Sequence, residues 1–202
     1  MSPRNSRTEA RRTRERIVER GIALASVDGL EGLTIGRLAA DLKMSKAGVL
    51  GHFGTKEALQ LATLQGAAAA FSRLVWEPVA HEEPGLPRLR AVRDTWIAYL
   101  ETGRDIFPGG CFFTTASVEF DARHGPVRDA VARLFRAWRL RLAAEVRTAV
   151  AAGDLPTDTD PDQVVYELVG CYMALNQEIQ LLADPMAAAR TRRAVNRLLG
   201  QS

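Results

Sequence analysis

The stretch MSKAGVLGHFGTKEAL, residues 44–59, sets Ser45, Lys46, His52 and Lys56 among three small residues, Ala47, Gly48 and Gly51. That combination suits close contact with an anionic surface. Lysine and histidine present donors to phosphate, serine adds a hydroxyl, and missing side chains let the backbone approach. Only Val49, Leu50, Phe53 and Leu59 remain to hold the stretch on a core. Competing chemistries find no support. There is no G-x-S-x-G elbow, no G-x-x-x-x-G-K-[ST] loop and no H-E-x-x-H pair. His52, His81 and His124 are scattered, and Cys111 and Cys171 lack the close spacing of zinc or redox motifs. Glu119 and Asp121, two apart on a helix, do not share a face for paired acid and base work. The expectation is a binding protein rather than an enzyme, with no cofactor and no metal.

Charge agrees with an anionic partner at one end. Of the 202 residues, 47% are apolar and 25% charged, the balance of a globular protein with a sizeable core. The net charge of +3 is unevenly placed: residues 1–56 carry 11 Lys/Arg against 6 Asp/Glu, and the rest carry 16 against 18. Nucleic acid and an anionic membrane surface both fit such asymmetry. The Arg-rich beginning has no apolar signal region and the run GAAAAF is too short to span a bilayer, so a cytoplasmic protein without a membrane partner is expected.

The elements that position these residues read as helices throughout. Ile17, Gly21, Leu24 and Ala25 recur at helical spacing from Thr8 to Ser26, and VDGLEG stops them. Thr34 is placed to cap a two-turn helix with Ile35, Leu38, Ala39 and Leu42 on one face. Ser45 caps a third helix of about 46–52, and Thr55 a fourth opening KEALQLATL. Further helices are expected over about 88–102, over the short CFFTTASVEFDAR, and over about 127–152, 162–183 and 186–199. No segment alternates long enough to argue for a strand. The fold class is therefore all-α, with about nine helices.

Two short helices joined by a tight turn are the parts of a helix-turn-helix, whose second helix enters the major groove of double-stranded DNA. The stretch resembles the DNA-binding signature of the TetR family of transcriptional regulators. The residues that carry it are Thr34, Leu38, Ala39, Met44, Ser45, Ala47, Val49, Leu50, His52, Phe53, Thr55, Lys56, Glu57 and Leu59. Leu50 departs from the family's usual aromatic, and Gly36 sits unusually beside Arg37. The resemblance covers about residues 8–60 in detail and implies a division into a helix-turn-helix DNA-binding domain, 1–56, and a helical domain for ligand binding and dimerisation, 57–202. It implies DNA contacts from Thr34, Arg37, Ser45, Lys46, Ala47, Gly48, Leu50, His52 and Lys56. Arg37 is either a solvated residue or a reader of bases, and the suitability of Arg for guanine favours the second. The basic run of Arg4, Arg7, Arg11 and Arg12 adds salt-dependent affinity.

By the same resemblance the C-terminal helices enclose a small-molecule effector, and the aromatic-rich sequence there suits a concave apolar site. Trp96, Phe113, Ser117, Trp138, Tyr166 and Asn176 are the expected lining. Cys111 follows Pro108-Gly109-Gly110 at a helix start; the plainer reading is a buried, inert thiol, the sharper one an effector or redox sensor. The resemblance further implies a homodimer joined through the last two helices. Gly170, Ala174, Ala187 and Ala188 are small enough for close approach, and Leu175 and Leu198 are candidates to face the partner. A repressor released from a palindromic operator by a small, largely apolar effector is the expected function; the alternative is a helical adaptor or membrane-surface module using the basic N-terminus.

Overall fold

A helix forms where its backbone ladder is uninterrupted and one face finds a core, and the interruptions in this chain are legible in the structure. The computed structural model describes residues 3–200, with side chains from Arg7 onward; the Arg4 side chain lies outside the described residues. Nine α-helices are present among them and no strand: α1 Pro3–Gly32, α2 Ile35–Asp41, α3 Lys46–Phe53, α4 Lys56–Phe71, α5 Leu86–Thr102, α6 Phe112–Phe120, α7 Pro126–Ala151, α8 Pro161–Gln180 and α9 Ala187–Leu198. The all-α expectation is met. No helix is long and apolar enough to cross a membrane among the described residues.

Two boundaries differ from the sequence reading. α1 starts five residues before Thr8, at Pro3, where a fixed φ and a missing N–H suit a first helical position. Residues 7–12 of this helix are exposed and so carry no apolar period to read. Gly29, with φ 76° and ψ 165°, breaks α1 as expected, but one further turn follows before Leu33. Beyond α4 the chain widens into a π-turn, Ser72–Trp76, and then tightens into a 3₁₀ turn, Glu77–Val79. Pro78 cannot donate the N–H that would continue the ladder.

Contacts group the chain into two compact units: Met1–Ala69 with Asp105–Ala132, and Ala70–Arg104 with Arg133–Ser202. The first is built around Ile17, Ile22 and Leu30 of α1, Leu38 and Ala39 of α2, Val49 of α3, and Leu59 and Leu64 of α4, all buried. α4 comes so close to α1 that a Cβ on Gly66 would lie 2.5 Å from Val18 Cγ1, so only glycine allows this approach. α6 packs on α1 within the same unit.

The second unit centres on α5, with Leu89, Val92, Trp96, Ile97 and Leu100 buried, and on Leu142 and Val146 of α7. α8 and α9 pack on each other and on α5. Arg88 and Glu145 pair at 2.9 Å, and the same carboxylate accepts from Gly85 N at 2.8 Å. Leu175 is fully buried here, which corrects its expected place on a partner-facing surface. Ala187 is likewise buried inside the unit.

Candidate nucleic-acid interface

The two short helices are each started by a side-chain cap. Thr34 Oγ1 accepts from Arg37 N at 3.2 Å and Ser45 Oγ from Gly48 N at 2.9 Å, which satisfies backbone donors that a helix start leaves without partners. Lys43 occupies the intervening turn with φ 54°, and Met44 N returns to Ala39 O at 2.8 Å. An eight-residue helix has little stability of its own in water, so α3 depends on docking. Val49 is its one fully buried side chain, worth about 1.5–3 kcal/mol against exposure. Phe53, half-buried, carries the Arg14 guanidinium 4.9 Å above its ring.

This sparse anchoring leaves the opposite face open. Ser45, Lys46, Ala47 and Gly51 are exposed, Leu50 is 40% exposed, and Gly48 and His52 are partly covered. Lys46 has no carboxylate partner among the described residues. A Cβ on Gly36 of α2 would lie 3.3 Å from Lys46 Cε, a close contact with the end of a flexible side chain. Thr34 and Arg37 are exposed on α2, and Arg37 pairs with Asp28 at 2.8 Å. Arg20 grips Asp41 through two nitrogens, tying α1 to α2 and holding the carboxyl below its ordinary range.

Lys56 is differently engaged. Its Nζ donates to Glu31 O at 2.9 Å and to Glu31 Oε2 at 2.8 Å. Gln60 Nε2 donates to Leu30 O at 2.8 Å, and Arg123 lies 3.3 Å from Glu31 Oε1. The Lys56 bond does most to hold the Glu31 carboxyl below the ordinary range, with Gln60 and Arg123 adding to it against some burial. Glu31, Gln60, Glu119 and Arg123 carried no signal of this cluster in the sequence, because their partners across it are 25 to 92 residues distant.

The residues expected at an effector site fall into both units. Cys111, Phe113 and Ser117 belong to the first. Cys111 is a buried thiol outside any disulfide, at the start of α6, the Phe113 ring lies 5.5 Å from that of Phe112, and Ser117 Oγ donates to Thr114 O. Trp96, Trp138, Tyr166 and Asn176 belong to the second. Of these, Trp96 and Trp138 meet edge to face at 5.3 Å, in a cluster with Phe71, Trp76 and Tyr172. Tyr172 stacks on Trp96 at 3.8 Å, and burial pushes its hydroxyl well above the ordinary range. Trp138 Nε1 is buried there without an acceptor among the described residues. Asn176 is partly buried on α8, whereas Tyr166 is 64% exposed, which suits a surface contact better than an enclosed lining.

Tyr166 is not alone on that surface. Met173 and Leu181 are 40% and 72% exposed, and with exposed Gly170 and Ala174 they form an apolar stripe at helical spacing along α8. Beside it a groove of about 560 Å³ runs between α8 and α9, floored by Gly170, Ala174, Ala194 and Leu198, with Glu167 and Arg197 as its charged residues.

Comparison with known proteins adds to this geometry. Residues 17–63 match the family described as bacterial regulatory proteins, tetR family, and residues 85–195 match the tetracyclin repressor-like C-terminal domain. No curated protein matches the sequence. Among solved structures, a TetR transcriptional regulator from Chloroflexus aurantiacus J-10-FL is 25% identical with a TM-score of 0.83, covering 96% of this chain and 95% of its own. A TetR-family regulator from Cytophaga hutchinsonii is 18% identical with a TM-score of 0.82, covering 95% of each chain. AibR, solved in complex with isovaleryl coenzyme A and operator DNA, is 21% identical with a TM-score of 0.73, covering 94% of this chain and all of its own.

Proposed function

The chain belongs to the TetR family of transcriptional regulators, DNA-binding proteins rather than enzymes, and on that footing we propose that it is a homodimeric repressor released from a palindromic operator by a small, largely apolar effector. The observation that carries the reading is the exposed face of α3, held to its unit by Val49 while Lys46, Ala47, Leu50 and Gly51 stay accessible. A helix so placed suits insertion into a major groove. In this reading α3 supplies the base contacts together with Arg37, and Thr34, Ser45, His52 and Lys56 contact the flanking backbone. The arginines at the start of α1 add sequence-independent affinity. Residues 1–56 then act as the DNA-binding part and 57–202 as the ligand-binding and dimerising part of a cytoplasmic protein.

Dimerisation is supported by the α8 stripe. Exposed apolar side chains at helical spacing need cover, and Gly170 and Ala174 allow a second helix close approach. Two copies supply two recognition helices for half-sites about 34 Å apart, or a multiple of it. The effector is supported by the ring cluster around Trp138, whose buried N–H lacks an acceptor and suits a ligand with an apolar body and one carbonyl or ether oxygen. The AibR complex is an instance of this fold holding a small molecule and operator DNA together.

The test is footprinting of purified protein on the DNA upstream of its own coding region. A protected, two-fold symmetric site is expected. Protection without symmetry rules out the dimeric reader, and no protection anywhere in a selected random pool rules out the operator reading.

A further inference from the structure

We infer that Glu119, reaching from α6, is a positioning residue for DNA binding, holding the last turn of α1 to which the start of α4 is fastened. The inference rests on the DNA-binding reading above. Gly29 interrupts the α1 ladder, so the N–H groups of Leu30 and Glu31 begin a new turn without helical acceptors. The Glu119 carboxylate supplies both: Oε2 accepts from Leu30 N at 2.7 Å and Oε1 from Glu31 N at 2.9 Å. It caps, from 88 residues away, a helix turn that has no local cap.

The carbonyls of the same two residues are held from the other side. Leu30 O accepts from Gln60 and Glu31 O from Lys56, both on α4. Arg123 closes the node, donating from Nε to Glu119 O at 2.9 Å while its guanidinium faces Glu31. One short segment thus has its donors held by α6 and its acceptors held by the beginning of α4. α4 starts three residues after α3 ends, with Thr55 Oγ1 capping Ala58 N at 3.0 Å between them. The placement of α3 is therefore referred through Lys56 and Gln60 to a segment that Glu119 fixes. Only glycine fits at position 29, since φ is positive and a Cβ would lie 2.6 Å from Glu119 Oε1. A neutral amide at 119 offers one acceptor and turns an NH₂ towards the second backbone N–H.

The test uses the full-length protein and its E119Q variant, with two duplexes: the best binder selected from a random-sequence pool and its scrambled counterpart. Glu119→Gln is expected to weaken the selected duplex by about tenfold or more. Scrambled DNA, held through phosphates by Lys46 and the arginines, should change by less than about twofold. Equal loss on both duplexes, or no loss on the selected one, overturns the inference. If E119Q does not fold, Glu119→Asp, which retains one of the two bonds, is read by the same ratio. Failure of the unsubstituted protein to discriminate between the duplexes is a different result and overturns the DNA-binding reading itself.

Discussion

The Nζ of Lys56 lies 2.8 Å from the Glu31 carboxylate and 2.9 Å from the Glu31 carbonyl oxygen, so the first residue of α4 is fastened to the last turn of α1. A lysine that the sequence offers as a phosphate contact thus has a structural partner as well. Its side chain is 41% exposed.

The two lysines of the interface should consequently behave differently on substitution. Lys46→Ala should lower affinity on all sequences and reduce the salt slope by about one phosphate contact, with no change in thermal midpoint. Lys56→Ala should do the same and also lower the midpoint, because it removes the side-chain donor to Glu31 O and one of the partners of the Glu31 carboxylate, leaving Gln60 and Arg123. Titrations at several salt concentrations beside thermal melts separate the two. Equal melting temperatures for both variants would contradict the account.

Acid should loosen the same contact. The Glu31 carboxyl is held below its ordinary value of 4.5, so its contribution is complete above that pH and is lost as pH falls through the lower, folded value. At 36% exposure the ion pair with Lys56 contributes no more than about 1 kcal/mol. Glu31→Gln should therefore melt slightly lower than the parent near neutrality, and the two melting curves should converge as pH is lowered from neutrality to below 4.5. A gap that stays constant through that range would contradict the assignment.

What the sequence made legible was local. Thr34, Ser45 and Thr55 were readable as caps because each bonds a backbone N–H three residues on. The exposed face of α3 was readable because small and polar residues, Lys46, Ala47, Gly48, Gly51 and His52, outnumber its large apolar ones, Val49, Leu50 and Phe53. The rest depends on partners distant in the chain. Nothing near Gly29 signals that Glu119 will cap the turn after it, and nothing in the spacing of Phe71, Trp96, Trp138 and Tyr172 signals that their rings meet. Leu175 and Met173 are two residues apart on α8 and equally apolar, yet one is core and the other surface. Periodicity alone fixes a face only once the other helices are in place.

That difference yields a prediction about assembly. Met173→Glu should give folded monomers, since it puts a charge in the middle of the α8 stripe, whereas Leu175→Glu should fail to fold because it buries an unpaired charge. Light scattering at micromolar concentration and far-ultraviolet circular dichroism measure the two outcomes. A dimeric Met173→Glu protein would place the interface elsewhere.

An effector bound at the ring cluster should perturb tryptophan fluorescence, because Trp96 and Trp138 are in contact there. Trp138→Ala should weaken effector binding while leaving operator affinity nearly intact. Coupling between ligand and DNA must be reciprocal, so saturating operator should weaken the effector by the same factor that effector weakens DNA, commonly about 5- to 150-fold. A compound that releases the protein from DNA yet binds equally well with and without operator would contradict coupled binding.

The central claim is that α3 reads sequence, and the most direct measurement is the ratio of affinities for the selected palindromic duplex and for a scrambled duplex of equal length at physiological salt. A ratio of about a thousandfold or more is expected, falling towards one when Arg37 and the exposed face of α3 are substituted together. Equal affinity of the unsubstituted protein for the two duplexes would contradict it.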